Sequence, residues 1–286
     1  MNNTFDIQRF GKVLKHDGLN FFPNFILSLA ILWAIPVVIY LFTALLPTDE
    51  TRHIYDAMSR VNIIDTLLKI AIIIAPAMLY KTCNDSRKGI GYAMLPASTL
   101  EKFVSMVVYC VIVTPIVYIA GSLAIDSLLA LFNGPYKDFA ASIYFNKYSQ
   151  IEYTIEQQST KIMLDDTWPI FINNLSPAFM RALSCLGILM LSSIFMFGNM
   201  IFKKRKTGKM IGILIFLSII FMILFINYVA NNEAFVQYLE QLNEDNVTEF
   251  VIRIIRIMMN VAIYTEIIVS ALLLWGVYRK IKTQKY

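Results

Sequence analysis

Charged side chains are scarce in this sequence, and histidine and cysteine are scarcer still. Only 16% of the 286 residues are Asp, Glu, Lys or Arg, while 57% are apolar. In soluble domains, about 25% of residues are charged and about 45–50% are apolar. The two histidines, His16 and His53, and the three cysteines, Cys83, Cys110 and Cys185, lie far apart. A soluble core and a clustered cysteine site for a metal or for redox chemistry are therefore excluded.

The sequence also lacks the motifs that mark common catalytic and nucleotide-binding sites. It contains no Gly-rich loop ending in Gly-Lys-Ser/Thr, no His-Glu-x-x-His and no Gly-x-Ser-x-Gly. We therefore predict no intrinsic enzyme activity, no cofactor, no metal site, and no ATP hydrolysis by this chain alone. The formal net charge of +5 comes from short basic clusters beside apolar runs. This placement indicates membrane orientation and not nucleic-acid binding.

Six long apolar runs account for most of the remaining sequence. A helix needs about 20 residues to cross a bilayer, and each run is close to that length. The sequence therefore predicts an all-α integral membrane protein with a single transmembrane domain over residues 1–286. The charged segment ahead of the first run predicts a retained span and not a cleaved leader. The six predicted spans cover residues 25–46, 63–80, 103–131, 179–202, 210–229 and 257–278, with kinks at Pro36, Pro76 and Pro115.

The distribution of Lys and Arg predicts the orientation. With six crossings, basic residues cluster before the first span, between spans two and three, between spans four and five, and after span six. The loops on the opposite side, including the long loops 133–177 and 230–256, carry acidic residues instead. We therefore expect a multi-pass protein of the bacterial inner (plasma) membrane with both termini in the cytoplasm.

Amphipathic patterns predict helices outside the spans. In residues 5–19 the apolar side chains share one helical face and the basic ones lie opposite, which predicts an interfacial helix along the inner membrane surface. The outer loops are rich in aromatic residues, and we expect short interfacial helices there as well. In the second of these loops, four residues have helical spacing: Phe235, Tyr238, Leu239 and Leu242.

Two charged residues fall deep inside predicted spans, where a charge costs at least a few kcal/mol unless it is paired or hydrated. Lys69 is about six residues, or 9 Å, from the outer end of span two, and Glu266 is about nine residues, or 13 Å, from that of span six. Because these depths are similar, we predict a buried ion pair that either fixes helix register or belongs to a substrate or proton path. Asp65, Asp126 and Arg181 lie near outer ends and are expected to be interfacial.

Gly208 and Gly212 have the small-xxx-small spacing that lets two helices approach closely. They lie at the inner end of span five. The contact that they predict is either within the chain or between two copies of it.

A capping box lies just ahead of the third apolar run. Ser98 can accept a hydrogen bond from the amide of Glu101, and the Glu101 carboxylate can accept one from the amide of Ser98. The third helix should therefore begin near Thr99, with its first turn in the cytoplasm. Gly89 and Gly91 punctuate the preceding segment and leave room for a short helix or turn.

Residues 95–103, Leu-Pro-Ala-Ser-Thr-Leu-Glu-Lys-Phe, carry a family resemblance. They are similar to a Leu-Pro-x-Ser-x-x-Glu-like stretch in permease subunits of ABC transporters of the type-2 exporter class, in the kind whose permease and ATPase are separate chains. In that family the stretch leads from the second span into the third, as it does here. Six spans, an amphipathic N-terminal helix and cytoplasmic termini extend the resemblance in outline to the whole chain. The long loop between spans three and four departs from the family's pattern and leaves the substrate open.

The resemblance implies a permease embedded in membrane lipid that forms a homodimer, or pairs with a similar chain, and binds two cytoplasmic ATPase subunits. It also implies a coupling helix at about residues 85–98 that docks on the ATPase, with the N-terminal helix close to that interface. The residues expected in this partner-coupling loop are Arg87, Lys88, Gly89, Leu95, Pro96, Ser98 and Glu101.

Two other classes stay open. One is a membrane protein that does not transport, such as an immunity protein, a sensor or an assembly factor. The other is an ion-coupled carrier that uses Lys69 and Glu266. An associated ATPase distinguishes the exporter from both, and transport that is insensitive to neutralising Lys69 and Glu266 argues against the carrier.

Overall fold

Six long helices form the computed structural model, which describes residues 5–45, 57–81, 83, 92, 94–132, 139–146, 177–231 and 244–283. Within these ranges there is no strand, and each long helix contains a stretch long and apolar enough to cross a membrane. The prediction of an all-α membrane fold with six spans is confirmed. The helices are α1 (Ile7–Leu45), α2 (Ala57–Leu79), α3 (Thr99–Leu131), α4 (Pro177–Ile201), α5 (Lys206–Asn231) and α6 (Glu244–Thr283).

The first helix is continuous where the sequence predicted a separate interfacial helix before the first span. α1 has 39 residues, which corresponds to about 58 Å at 1.5 Å per residue. The physical reason is an unbroken buried stripe at four-residue spacing that passes through the predicted boundary: Val13, Asp17, Phe21, Phe25 and Leu29. Pro23 lies inside α1, and near it Asn24 Nδ2 donates a hydrogen bond to the Asn20 carbonyl at 2.9 Å.

α3 contains one irregular turn. Residues Val108–Val113 are π-helical, and the amide of Thr114 donates to the carbonyl of Tyr109, five residues earlier. The Thr114 hydroxyl donates to the same carbonyl at 2.8 Å. Pro115 follows directly and has no amide hydrogen, so the irregular turn lies where the sequence predicted a kink.

α2 is the centre of the bundle. It packs against α1, α3 and α4, and α4 packs in turn against α6 and α5. One apolar cluster fills the space between α1, α2 and α3, with Phe21, Phe25, Ile64 and Ile72 among its members. A second cluster around Met106, Met196 and Val277 lies near the chain's basic segments, where α1 and α3 begin and α2 ends. We call this end of the bundle the basic end and the opposite end the acidic end.

α5 lies at the periphery, and no residue of its most apolar stretch is buried. A side-chain carbon added at Gly208 or Gly212 would meet no described atom within 4 Å. The predicted close packing of these glycines within the chain is therefore wrong for the part of the chain that the structure describes. The alternative, a contact between two copies, stays a prediction.

Both of the long loops at the acidic end contain helix among their described residues. Residues 140–146 are helical in the first. In the second, α6 begins at Glu244, 13 residues before the predicted span, so much of the expected loop helix is a continuation of α6. Phe235, Tyr238, Leu239 and Leu242, on which that prediction rested, lie outside the described residues.

Candidate functional site

The capping box at the start of α3 is present as predicted. The Ser98 amide donates to Glu101 Oε2 at 2.8 Å, and the Glu101 amide donates to Ser98 Oγ at 3.3 Å. α3 begins at Thr99, as the sequence indicated. Ser98 is 7% exposed and Glu101 has no exposed surface. A buried carboxylate needs more partners than one cap amide supplies.

The N-terminal segment supplies those partners. The amide of Asp6 donates to Glu101 Oε1 at 2.9 Å, and Arg9 Nη2 donates to the same oxygen at 3.2 Å. One carboxylate therefore joins the start of α1 to the start of α3. Sequence reasoning missed this contact because the partners are 95 and 92 residues away and the local cap already explains why a Glu stands at position 101.

A second buried carboxylate, Asp17, lies nearby on α1. Its Oδ2 accepts hydrogen bonds from Ser105 Oγ of α3 at 2.7 Å and from Tyr80 OH, just after α2, at 3.1 Å. His16 Nδ1 lies 3.2 Å from Asp17 Oδ1. The signal that could have found Asp17 was its place in line with Val13 and Phe21 on an apolar helical face.

A polar cavity of about 360 Å³ opens beside Asp17 at the basic end. His16, Asn20 and Tyr80 line it, together with the buried Cys83. Burial, reinforced by the Asp17 carboxylate, raises the pKa of the Cys83 thiol to about 12. The thiol is therefore neutral near pH 7, and Cys83 packs as a small apolar residue.

Other helices fix the residues that follow α2. Asn199 Nδ2 of α4 donates to the Tyr80 carbonyl at 3.2 Å, and Lys206 Nζ of α5 donates to the Lys81 carbonyl at 2.8 Å. Together with the Tyr80–Asp17 bond, these contacts hold the start of the connection between α2 and α3. The connection is therefore tied to the bundle at both ends, at residues 80–81 and at residues 98–101.

The predicted coupling residues fall into three groups. Arg87, Lys88 and Gly89 lie outside the described residues. Leu95 and Pro96 precede the cap, and Pro96 is exposed. Ser98 and Glu101 are buried and bonded to each other, and with Asp6 they form a joint between the starts of α1 and α3 that offers little surface to a partner.

At the acidic end, the sequence predicted an interfacial Asp126, and this prediction is wrong because the residue is buried. It is 4% exposed, and its Oδ1 lies 2.8 Å from Nε of Arg60, which is 3% exposed. The amide of Ala140 donates to the other carboxylate oxygen at 3.0 Å. The short helix at 140–146 therefore contributes to the burial of the pair, which the linear spacing of charges does not reveal. Asp65 lines a cavity deeper in the bundle, and the side chain of Arg181 is outside the described residues.

Lys69 and Glu266 do not form the predicted ion pair. Among the described residues no ion pair within 4.0 Å joins them, and the buried pair of the bundle is Arg60–Asp126 instead. They do share a place, because both line a cavity of about 520 Å³ bounded by α2, α4 and α6. Their similar predicted depth therefore indicated correctly that they face one cavity, although they form no ion pair there.

These features define a six-span, all-α membrane protein with a bonded joint at its basic end and a charged cavity within the bundle. No family model, no curated protein and no solved structure matches the chain.

Proposed function

We propose that the chain is the transmembrane permease subunit of an ABC-type exporter, driven by a separate cytoplasmic ATPase through the connection between α2 and α3. In this proposal the basic end faces the cytoplasm of a bacterial inner membrane and both termini lie there. The permease forms a homodimer or pairs with a similar chain in membrane lipid. It needs no cofactor of its own and binds no nucleic acid.

The observation that carries the proposal is the buried Glu101 carboxylate. A partner that pushes on residues 85–98 moves a segment that ends directly at the Ser98–Glu101 cap. Because Glu101 also accepts hydrogen bonds from Asp6 and Arg9, that movement reaches α1 as well as α3. Breaking any of these hydrogen bonds would leave an unpaired buried group, which costs free energy. The starts of α1 and α3 should therefore move together when the segment is pushed.

Co-purification from native membranes tests this function. An affinity-tagged full chain should retain an ATPase subunit, and replacing residues 85–94 with a Gly/Ser segment of equal length should release it while leaving Ser98 and its cap intact. The matched control replaces residues 150–159 of the outer loop and should retain the ATPase. If no ATPase co-purifies with the unaltered chain, the result would contradict the exporter. If the ATPase is still retained after residues 85–94 are replaced, the result would contradict the coupling assignment.

The charged cavity favours a second candidate, an ion-coupled carrier that uses Lys69 and Glu266. Such a carrier would work without an ATPase and would stop when the ion gradient collapses. Transport that persists after both Lys69→Met and Glu266→Gln would remove this candidate, and transport that continues in energised membranes depleted of ATP would favour it over the exporter.

A further inference from the structure

The cavity bounded by α2, α4 and α6 combines an apolar wall with charged groups of both signs. Leu68 and Ile72 of α2 and Ile188 and Leu191 of α4 supply apolar surface, while Lys69 and Glu266 supply the charges. Its volume of about 520 Å³ is within the range of small-molecule sites, which is about 300–1,000 Å³. Mostly apolar walls with a few placed polar groups are also typical of such sites.

Glu266 carries an unmet hydrogen-bonding requirement in this cavity. Its Oε2 is buried and has no hydrogen-bond partner within the part of the chain that the structure describes. Gly187 of α4 lies alongside, and a side-chain carbon added there would come within 4.0 Å of Glu266 Oε1. The glycine therefore leaves space beside the carboxylate, and a buried acceptor of this kind needs a donor.

Lys69 faces the same cavity with the opposite charge, yet no described residue pairs with it at ion-pair distance. Lys69 and Glu266 have opposite charges and line one cavity, yet they form no ion pair within 4.0 Å. A single molecule can satisfy both only if it brings a cation to one and an anion to the other. Lys69 is exposed and Glu266 is partly buried, so a singly charged ligand would pair with one of the two and leave the other facing the cavity without a counterion.

We propose that this cavity binds an amphipathic zwitterion. Its ammonium group donates to Glu266, its anionic group accepts from Lys69, and its apolar body lies against Leu68, Ile72 and Ile188. Asp65 also lines the cavity and adds negative potential, which favours the ammonium end. That the bound molecule is a transported substrate rests on the function proposed above, whereas the binding itself does not.

A set of three dipeptide probes tests the site directly. Leucyl-leucine is a small zwitterion with apolar side chains, its N-acetyl form is an anion, and its C-terminal amide is a cation. Equilibrium dialysis against the purified full chain in lipid nanodiscs should show that leucyl-leucine binds at least about tenfold more tightly than either blocked form, since each loses one charge-assisted contact. Equal affinity for all three would overturn the proposal.

Variants assign each charge to its partner. In Lys69→Met the amide should bind as well as leucyl-leucine, and in Glu266→Gln the N-acetyl form should do so, because the matching contact is already lost. Lys280→Met, a charge change at an exposed residue of α6 outside the cavity, should leave the three affinities in their original ratios. Undiminished discrimination in both cavity variants would also contradict the site. The probe ratios of the unaltered chain do not depend on how the variants fold.

The test separates the site from the exporter. The binding measurements use the chain without any ATPase. Zwitterion selectivity with no associated ATPase would therefore support the site and contradict the exporter, and the reverse result would contradict the site alone.

Discussion

At the scale of single residues, the two buried carboxylates at the basic end, Glu101 and Asp17, make different kinds of contact. The Glu101 carboxylate accepts three hydrogen bonds, from the Asp6 amide, Arg9 and the Ser98 amide, and so holds the starts of α1 and α3 together. Asp17 instead accepts from hydroxyl groups of Tyr80 and Ser105 beside a polar cavity. The first is a joint between helices, and the second lines an accessible space.

Glu101→Ala should destabilise the protein by about 2–3 kcal/mol, because it removes a helix cap and leaves the Asp6 and Ser98 amides and Arg9 without their acceptor. Glu101→Gln should cost less, since one amide oxygen can still accept. The midpoint of thermal unfolding in detergent measures both. Lys12→Ala, at an exposed position of α1, is the control and should leave the midpoint nearly unchanged. Equal midpoints for Glu101→Ala and Lys12→Ala would contradict the joint.

Cys83 should react with iodoacetamide in a way that reflects its raised pKa of about 12. Only the thiolate reacts, so the rate should keep rising with pH through pH 10. An ordinary exposed thiol levels off above about pH 9. The measurement uses a chain in which Cys110 and Cys185 are replaced by Ala, followed by mass spectrometry. A plateau below pH 10 would show that the thiol is not buried beside Asp17.

At the scale of helices, the sequence predicted those features that depend on residues close together in the chain. Hydropathy located the six spans, and the Ser98–Glu101 pair located the start of α3, because both depend on neighbouring residues. The Arg60–Asp126 pair joins residues 66 positions apart, and the continuity of α1 depends on neighbours that its own sequence does not specify. Such features follow from packing, which one sequence does not reveal.

Breaking the Arg60–Asp126 pair should show strong coupling between α2 and α3. Arg60→Met or Asp126→Leu alone should cost about 3–5 kcal/mol, because each leaves a buried charge unpaired, while the double variant should cost much less than the sum. Thermal unfolding of the four proteins completes the cycle. Additive losses would indicate that the two side chains act independently.

Two glycines make a matched test of the contact between α1 and α3. A side-chain carbon at Gly121 would collide with the ring of Trp33, whose Nε1 donates to the Tyr118 carbonyl at 3.2 Å. Gly121→Ala should therefore destabilise by about 1–3 kcal/mol. Gly11→Ala, where the added carbon meets nothing within 4 Å, should be neutral or stabilising by up to about 1 kcal/mol. Unfolding midpoints that shift alike would contradict the packing.

At the scale of the whole molecule, the joint at Glu101 and the cavity of Lys69 and Glu266 lie at two different levels of the bundle. The basic end contains the bonded joint and the two fixed ends of the α2–α3 connection. The middle of the bundle contains the charged cavity. The sequence predicted the cap and the depth of Lys69 and Glu266, but which groups pair and which stay apart depends on the positions of six helices. In the proposed exporter, the first level would receive the motor's force and the second would bind the substrate.

Crosslinking from the connection between α2 and α3 tests the central claim most directly. Met94 lies in this connection at the basic end with 77% of its surface exposed, and Leu131 at the acidic end is 68% exposed. A photoreactive amino acid placed at each position in native membranes gives a matched pair. We predict that Met94 captures a protein with the phosphate-binding loop of an ATPase and that Leu131 does not. Absence of such a protein from the Met94 product, or equal capture at both positions, would contradict the account.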